Sequence, residues 1–165
     1  MACVKIELAT THSQLYAIAQ IAAEIWNEHY SPIIGKAQVD YMIEKFQSIE
    51  AMQKQIEEGY AYYLFFKDEE LIGYLGIQPR ETHLFLSKVY LLKQHRSKGF
   101  GKQALEFVSK RALDLGLNVI QLTVNKYNTN SIKTYQKAGF KTIKPAVFDI
   151  GNGFVMDDFV MEKVV

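Results

Sequence analysis

At Gly59 a long stretch of helical apolar spacing gives way to strand-like runs, and that switch limits what this chain can fold into. Before it, the alternating stretch VKIELA reads as a strand. Leu15, Ile18, Ala19, Ala22, Ile25, Trp26 and Tyr30 then fall on one face of a helix, since residues three and four apart share a helical face. A break at SPIIG precedes a shorter helix marked by Val39, Met42, Ile43 and Phe46, and Ser48 opens another that ends at Gly59. After Gly59, YAYYLFFK, LIGYLGIQ and THLFLSKVYLL read as three strands joined by short turns, which favours an antiparallel meander. A helix to about Leu115 closed by Gly116, the strand NVIQLTVN, the helix TNSIKTYQKA closed by Gly139, and the strands FKTIKPAVF and GFVMDDFVMEKVV complete the order. The result is a mixed α/β chain around one sheet. With 165 residues and no linker or repeat, it is expected to form a single domain over 1–165.

Charge and cysteine content exclude several classes. A net charge of +1 argues against general nucleic-acid binding, although seven Lys or Arg crowd residues 88–111 against the single acid Glu106. The lone Cys3 excludes an internal disulfide, and His12, His29, His83 and His95 show no zinc spacing, so no metal is expected. The start of the chain lacks a basic segment followed by an apolar one, and the longest apolar run, Tyr60 to Phe66, is too short for a membrane span. A cytoplasmic location without membrane attachment is expected.

The basic cluster coincides with glycines in QHRSKGFGK, Gln94 to Lys102, between a strand and a helix. Backbone N–H groups at a helix start approach an anion closely only where no side chain intervenes, so this junction suits a phosphate. It fails the Walker pattern, because Arg96 stands where a glycine is required and Gln103 follows Lys102. GFGKQA matches a dinucleotide fingerprint, but the next strand, VIQLTVNKYN, offers no closing acid. The third match is [QR]-x-x-G-x-[GA], at Arg96 to Gly101. Through it the chain resembles the GCN5-related N-acetyltransferase (GNAT) superfamily, whose fold is a single α/β domain with a mixed, mostly antiparallel central sheet flanked by helices. The resemblance implies acetyl-CoA as cosubstrate. It places the pyrophosphate on Arg96, Lys98, Gly99, Phe100, Gly101 and Lys102, with Leu91 and Leu92 along the pantetheine arm. Ser97 and Lys93 stand where the family often has Gly and Pro, and neither change removes an amide donor.

A second block, VNKYNTNSIKTYQKAGF (Val124 to Phe140), is similar to the family's other signature. It implies that Asn128 bonds the coenzyme's amide arm, that Ser131 lets the helix lie near the coenzyme, and that Tyr135 is the acid. Read from the residues alone, Asn128 caps a helix and Tyr135 fills a core. Less specific likenesses at both ends of the chain point to small bacterial members of the polyamine acetyltransferase kind.

Only a neutral amine attacks a thioester, so a proton must leave an acceptor of pKa about 10.4. Direct transfer is expected, with Cys3 a passive thiol. Many relatives carry a Glu on the strand before the phosphate turn, but this chain has Ser87 and Lys88 there. That leaves Glu28, Glu81, His83 or water as base. Glu28, His29 and Glu81 are the candidate substrate residues, while Asp157 and Asp158 either attract a cationic amine or solvate the last hairpin. The partner is a small-molecule or peptide amine, and the reading leaves room for a homodimer. The rivals are an acyl-CoA sensor that does not transfer the acyl group and a nicotinamide-binding oxidoreductase.

Overall fold

The structure is a computed structural model and describes residues 4–165; Cys3 lies outside the described residues. In chain order the elements are β1 (Lys5–Leu8), α1 (His12–Ile34), α2 (Lys36–Gln47), α3 (Ile49–Glu57), β2 (Ala61–Lys67), β3 (Glu70–Pro79), β4 (Leu84–Leu91), a 3-10 turn (Lys93–His95), α4 (Phe100–Asp114), β5 (Val119–Asn125), α5 (Thr129–Lys137), β6 (Lys141–Gly151) and β7 (Phe154–Val164). The strand order is β1-β2-β3-β4-β5-β7-β6. β1 with β2, β2 with β3, β5 with β7 and β6 with β7 pair antiparallel, and β4 pairs with β5 in parallel, an alignment that follows from the crossover through α4. This is the expected mixed, mostly antiparallel sheet flanked by helices.

The described residues group into two compact units. One holds the chain up to Gln78 with Lys88–Ala104; the other holds Pro79–Ser87 with Leu105–Val165. In the first, Ile18, Ala22 and Ile25 of α1 and Val39 of α2 are fully buried, as are Phe65, Ile72 and Leu75 of the strands. In the second, Leu84, Val108, Ala112, Ile120 and Met161 form the core.

The expected break at SPIIG falls later than the sequence suggests. The first helix runs through Pro32 to Ile34 and ends at Gly35, whose φ of 87° leaves the helical region. Proline removes only one hydrogen bond so near the end, whereas a left-handed glycine redirects the chain. Thr11 opens the same helix with a capping box to Gln14, and Ser48 caps α3 through the Ala51 N–H at 3.2 Å.

Lys88 is 7% exposed in β4, an unusual place for a cation with no carboxylate beside it. Its Nζ donates to the Phe46 carbonyl at 3.2 Å and to Gln55 Oε1 at 3.0 Å, and it bonds the Tyr62 hydroxyl. Phe46 lies in the last turn of α2, where carbonyls lack helical donors and favour a cation, so Lys88 closes that helix end. Burial still pulls its ammonium down to about 7. The unfolded chain therefore holds a proton here between about pH 7 and 10 that the folded chain has lost, and stability should rise with pH across that window. The partners also bond one another, Tyr62 to Gln55 and Gln55 Nε2 to the Phe46 carbonyl. Lys88→Met is accordingly expected to remove the pH dependence and to leave the protein at pH 6 as stable or more so, by about 1–4 kcal/mol. Urea unfolding between pH 6 and 10 measures both effects.

Candidate functional site

In the first unit, β4 passes into the 3-10 turn and then α4. Leu92 is buried and its N–H donates to the Ile72 carbonyl of β3 at 2.8 Å, so that amide is committed within the chain. Arg96 folds back, its Nε donating to the Leu91 carbonyl at 3.1 Å. His95 anchors the turn from inside. It is 7% exposed, its Nε2 is 3.4 Å from Glu70 Oε1, and its ring centroid is 6.4 Å from that of Phe100. Gly99 takes a φ of 87°, which explains the glycine there, and its carbonyl accepts the first helical bond from the Gln103 N–H at 3.2 Å.

Helix geometry therefore leaves the N–H groups of Phe100, Gly101 and Lys102 without an intrahelical acceptor. Among the described residues, a Cβ built on Gly101 would meet only Leu91 Cδ1, at 3.9 Å, so the glycine exposes backbone rather than filling a crowded space. Arg96, Lys98 and Lys102 gather at this positive helix end, and the first turn holds no acid. Positive charges at a helix start disfavour each other and the dipole, an arrangement that an anion reverses. The residues present fit a phosphate-bearing ligand.

In the second unit, β5 turns into α5. Asn125 Oδ1 accepts from the Tyr127 N–H at 2.9 Å, and the Asn128 N–H returns to the Asn125 carbonyl at 3.0 Å. Asn128 is 3% exposed and caps α5, its Oδ1 accepting from the Ser131 N–H at 3.4 Å. Tyr135 is half-buried, its ring edge-on to Phe140 at 5.7 Å. One turn and one short helix thus carry Asn128, Ser131 and Tyr135.

Of the candidate substrate residues, Glu28 and His29 belong to the first unit and Glu81 to the second. Glu28 and Glu81 are exposed, and His29 packs edge-on against Tyr30 at 4.8 Å. The Tyr30 and Tyr90 hydroxyls lie 3.1 Å apart. Burial first, then the charge of Arg80, holds His83 below the usual imidazole range, with Glu162 opposing. Asp158 does not solvate the last hairpin: it is 3% exposed, and burial and the neighbouring Asp157 push its carboxyl up to about 6 against a hydrogen bond from Thr123. Paired acids in a strand read as a solvated face, and only the burial of one of them would have distinguished it. Among the described residues no group of three or more His, Cys, Asp or Glu is placed to hold a metal, and no helix is long and apolar enough to cross a membrane.

The model of the acetyltransferase (GNAT) family matches residues 15–140. An uncharacterized N-acetyltransferase in the pepI 3' region of Lactobacillus delbrueckii subsp. lactis is 26% identical over 115 residues, 65% of this chain and 66%, just under two thirds, of that protein. The uncharacterized N-acetyltransferase YhdJ of Bacillus subtilis (strain 168) is 28% identical over 132 residues, 76% of this chain and 90% of that one. Among solved structures, the fold is shared with a PaiA N-acetyltransferase from Thermoplasma acidophilum in complex with coenzyme A. That match has a TM-score of 0.82 and 23% identity over 99% of both chains.

Proposed function

Because the chain belongs to the acetyltransferase (GNAT) family and is an N-acetyltransferase, we propose that it transfers the acetyl group of acetyl-CoA directly to a primary amine. The acceptor class is a small amine, a polyamine, an amino sugar or a peptide N-terminus. The observation that carries this reading is the start of α4, where three amides without an intrahelical acceptor, an open glycine and three cations meet at the positive end of a fifteen-residue helix.

In this reading Phe100, Gly101 and Lys102 give their amides to the pyrophosphate, and Arg96, Lys98 and Lys102 supply charge. Gly99 makes the turn, and Leu91 and Leu92 line the pantetheine arm. Asn128 bonds the amide arm while Ser131 keeps the face of α5 low. The bound thioester supplies the activated acetyl group. Tyr135 delivers a proton to the departing thiolate; a thiol of pKa about 8.5 is already a fair leaving group, so a phenol of pKa about 10 assists its departure without being indispensable. Glu28, His29 and Glu81 remain the substrate-side candidates on α1 and before β4.

Gly101→Val tests the coenzyme part. Among the described residues a Cβ at this position meets only Leu91 Cδ1, at 3.9 Å, so fold and melting temperature should change little. Coenzyme A affinity by calorimetry should fall by at least tenfold, because the branched side chain stands where the pyrophosphate must approach. Unchanged affinity in the folded variant would remove the phosphate from α4. Gly99 is a poorer probe, since its positive φ would strain the fold whatever binds there.

A further inference from the structure

The fold accounts for one of its two buried charged groups with shifted titration. Lys88 has three acceptors and a helix end, whereas Asp158 has the Thr123 hydroxyl and, among the described residues, no cation paired with it. The neighbouring Lys126 is taken by Asp157, Nζ to Oδ1 at 2.8 Å. A desolvated carboxylate with one hydroxyl partner is costly to hold, and the cost falls when a cation or a proton comes to it.

Its position gives that buried carboxyl a chemical meaning. Asp158 on β7 stands directly across from Asn125 of β5 and Ala146 of β6, and Thr123 lies two residues back on the same face of β5. Asn125 is also the residue that closes the turn into Asn128, so the carboxyl sits at the root of the segment carrying Asn128, Ser131 and Tyr135. Two strands pack against β7. From β5 and the turn after it come Thr123, Asn125 and Lys126, and from β6 come Ala146 and, two residues earlier on that face, Lys144. On β7 itself the charged neighbours are Asp157 and Glu162. Thr123 is half-buried where Asp158 is buried, so Thr123 is the more exposed residue of the pair.

We propose that Thr123 and Asp158 together take up the proton that the acceptor amine must lose: the Thr123 oxygen receives it from the ammonium while Thr123's own hydroxyl proton passes to the Asp158 carboxylate. This rests on the acetyl-transfer reading above. The ammonium and the carboxylate become a neutral amine and a carboxylic acid. The amine's attack then forms the C–N bond and breaks the C–S bond; Tyr135 gives its phenol proton to the thiolate, and the second proton leaving nitrogen passes through water to restore that phenol. Asp158 returns its proton to water once the product has left. Thr123 meets the amine, and Asp158 is the positioning residue and proton store behind it.

The test is the pH profile of acetyl transfer to the best primary amine, measured on the full chain. Wild type should lose kcat/KM on the acid side with a midpoint near 6, where Asp158 protonates. Asp158→Asn should cut kcat by about 10²–10⁴-fold and flatten that limb, and Thr123→Val should cut kcat similarly while Thr123→Ser restores it. In the free protein, a carbon-13 titration of the aspartate carboxyls should show the Asp158 midpoint rising in Thr123→Val, because the bond holding the charged form is gone. Full activity and an unchanged acid limb in Asp158→Asn would overturn the assignment while leaving acetyl transfer intact. If that variant does not fold, Thr123→Val with wild-type kcat and an unmoved carboxyl midpoint overturns it equally. A wild-type chain that acetylates no amine would overturn both readings together.

Discussion

Tyr135→Phe is expected to lower kcat on the best amine acceptor by about 10²–10⁴-fold, the usual contribution of a positioned general acid. The substitution removes one hydroxyl and keeps the ring, and the ring is what packs against Phe140. Melting temperature and coenzyme A affinity should therefore stay close to wild type. The loss belongs in kcat rather than KM, because protonation of the thiolate develops only as the C–S bond breaks. The Phe variant should also keep the acid-side limb assigned to Asp158, since the two groups handle different protons. A fully active Phe variant would make Tyr135 a packing residue. A variant that no longer binds coenzyme A would make it a binding residue instead.

Gly73→Ala should be the most damaging single-methyl change in the chain. A Cβ on Gly73 of β3 would press on the Tyr90 carbonyl oxygen and stand 2.8 Å from Leu91 Cδ2 and 3.2 Å from Leu91 Cα. Two of those three neighbours are backbone, so relief requires β3 and the end of β4 to separate. Overpacking of this kind costs about 1–3 kcal/mol and sometimes more, or a fall of roughly 2–12 °C in melting temperature for a chain of this size. The same displacement moves Leu91, whose carbonyl holds Arg96, and loosens the Leu92 bond to Ile72. Coenzyme affinity should drop with stability, whereas Gly101→Val should lower affinity alone. Measured together, the pair separates damage to the frame from obstruction of the anion.

The strands and helices were legible where the pattern was local. The run of aromatic and branched residues after Gly59, the Ser48 cap and the glycines closing α4 and α5 each act within a few residues of their own position. The end of α1 was misplaced by three or four residues because proline is a conspicuous breaker, whereas the positive φ of Gly35 depends on where α2 must start. Asn128 carried its cap in the spacing to Ser131. What stayed hidden depends on distant partners. Lys88 in LFLSKVYL and Asp158 in VMDDFV read as polar positions of half-exposed strands, and only the packing of α2, α3, β5 and β6 makes them buried. Gly73 gave no signal, because the close approach it permits is between strands. His95, inside a basic stretch that reads as a solvated turn, proved to be that turn's internal anchor.

The central claim is that this chain moves acetyl from coenzyme A to an amine. The most direct measurement is to incubate the purified chain with acetyl-CoA and a panel of polyamines, diamines, amino sugars and peptides, with thiol release and product mass followed together. Stoichiometric thiol release and one or more acceptors heavier by a single acetyl group are expected, at a rate that collapses in Tyr135→Phe. Tight binding of acetyl-CoA with no acetylated product from any amine would contradict it and would leave a chain that senses the acyl-coenzyme without transferring its acyl group.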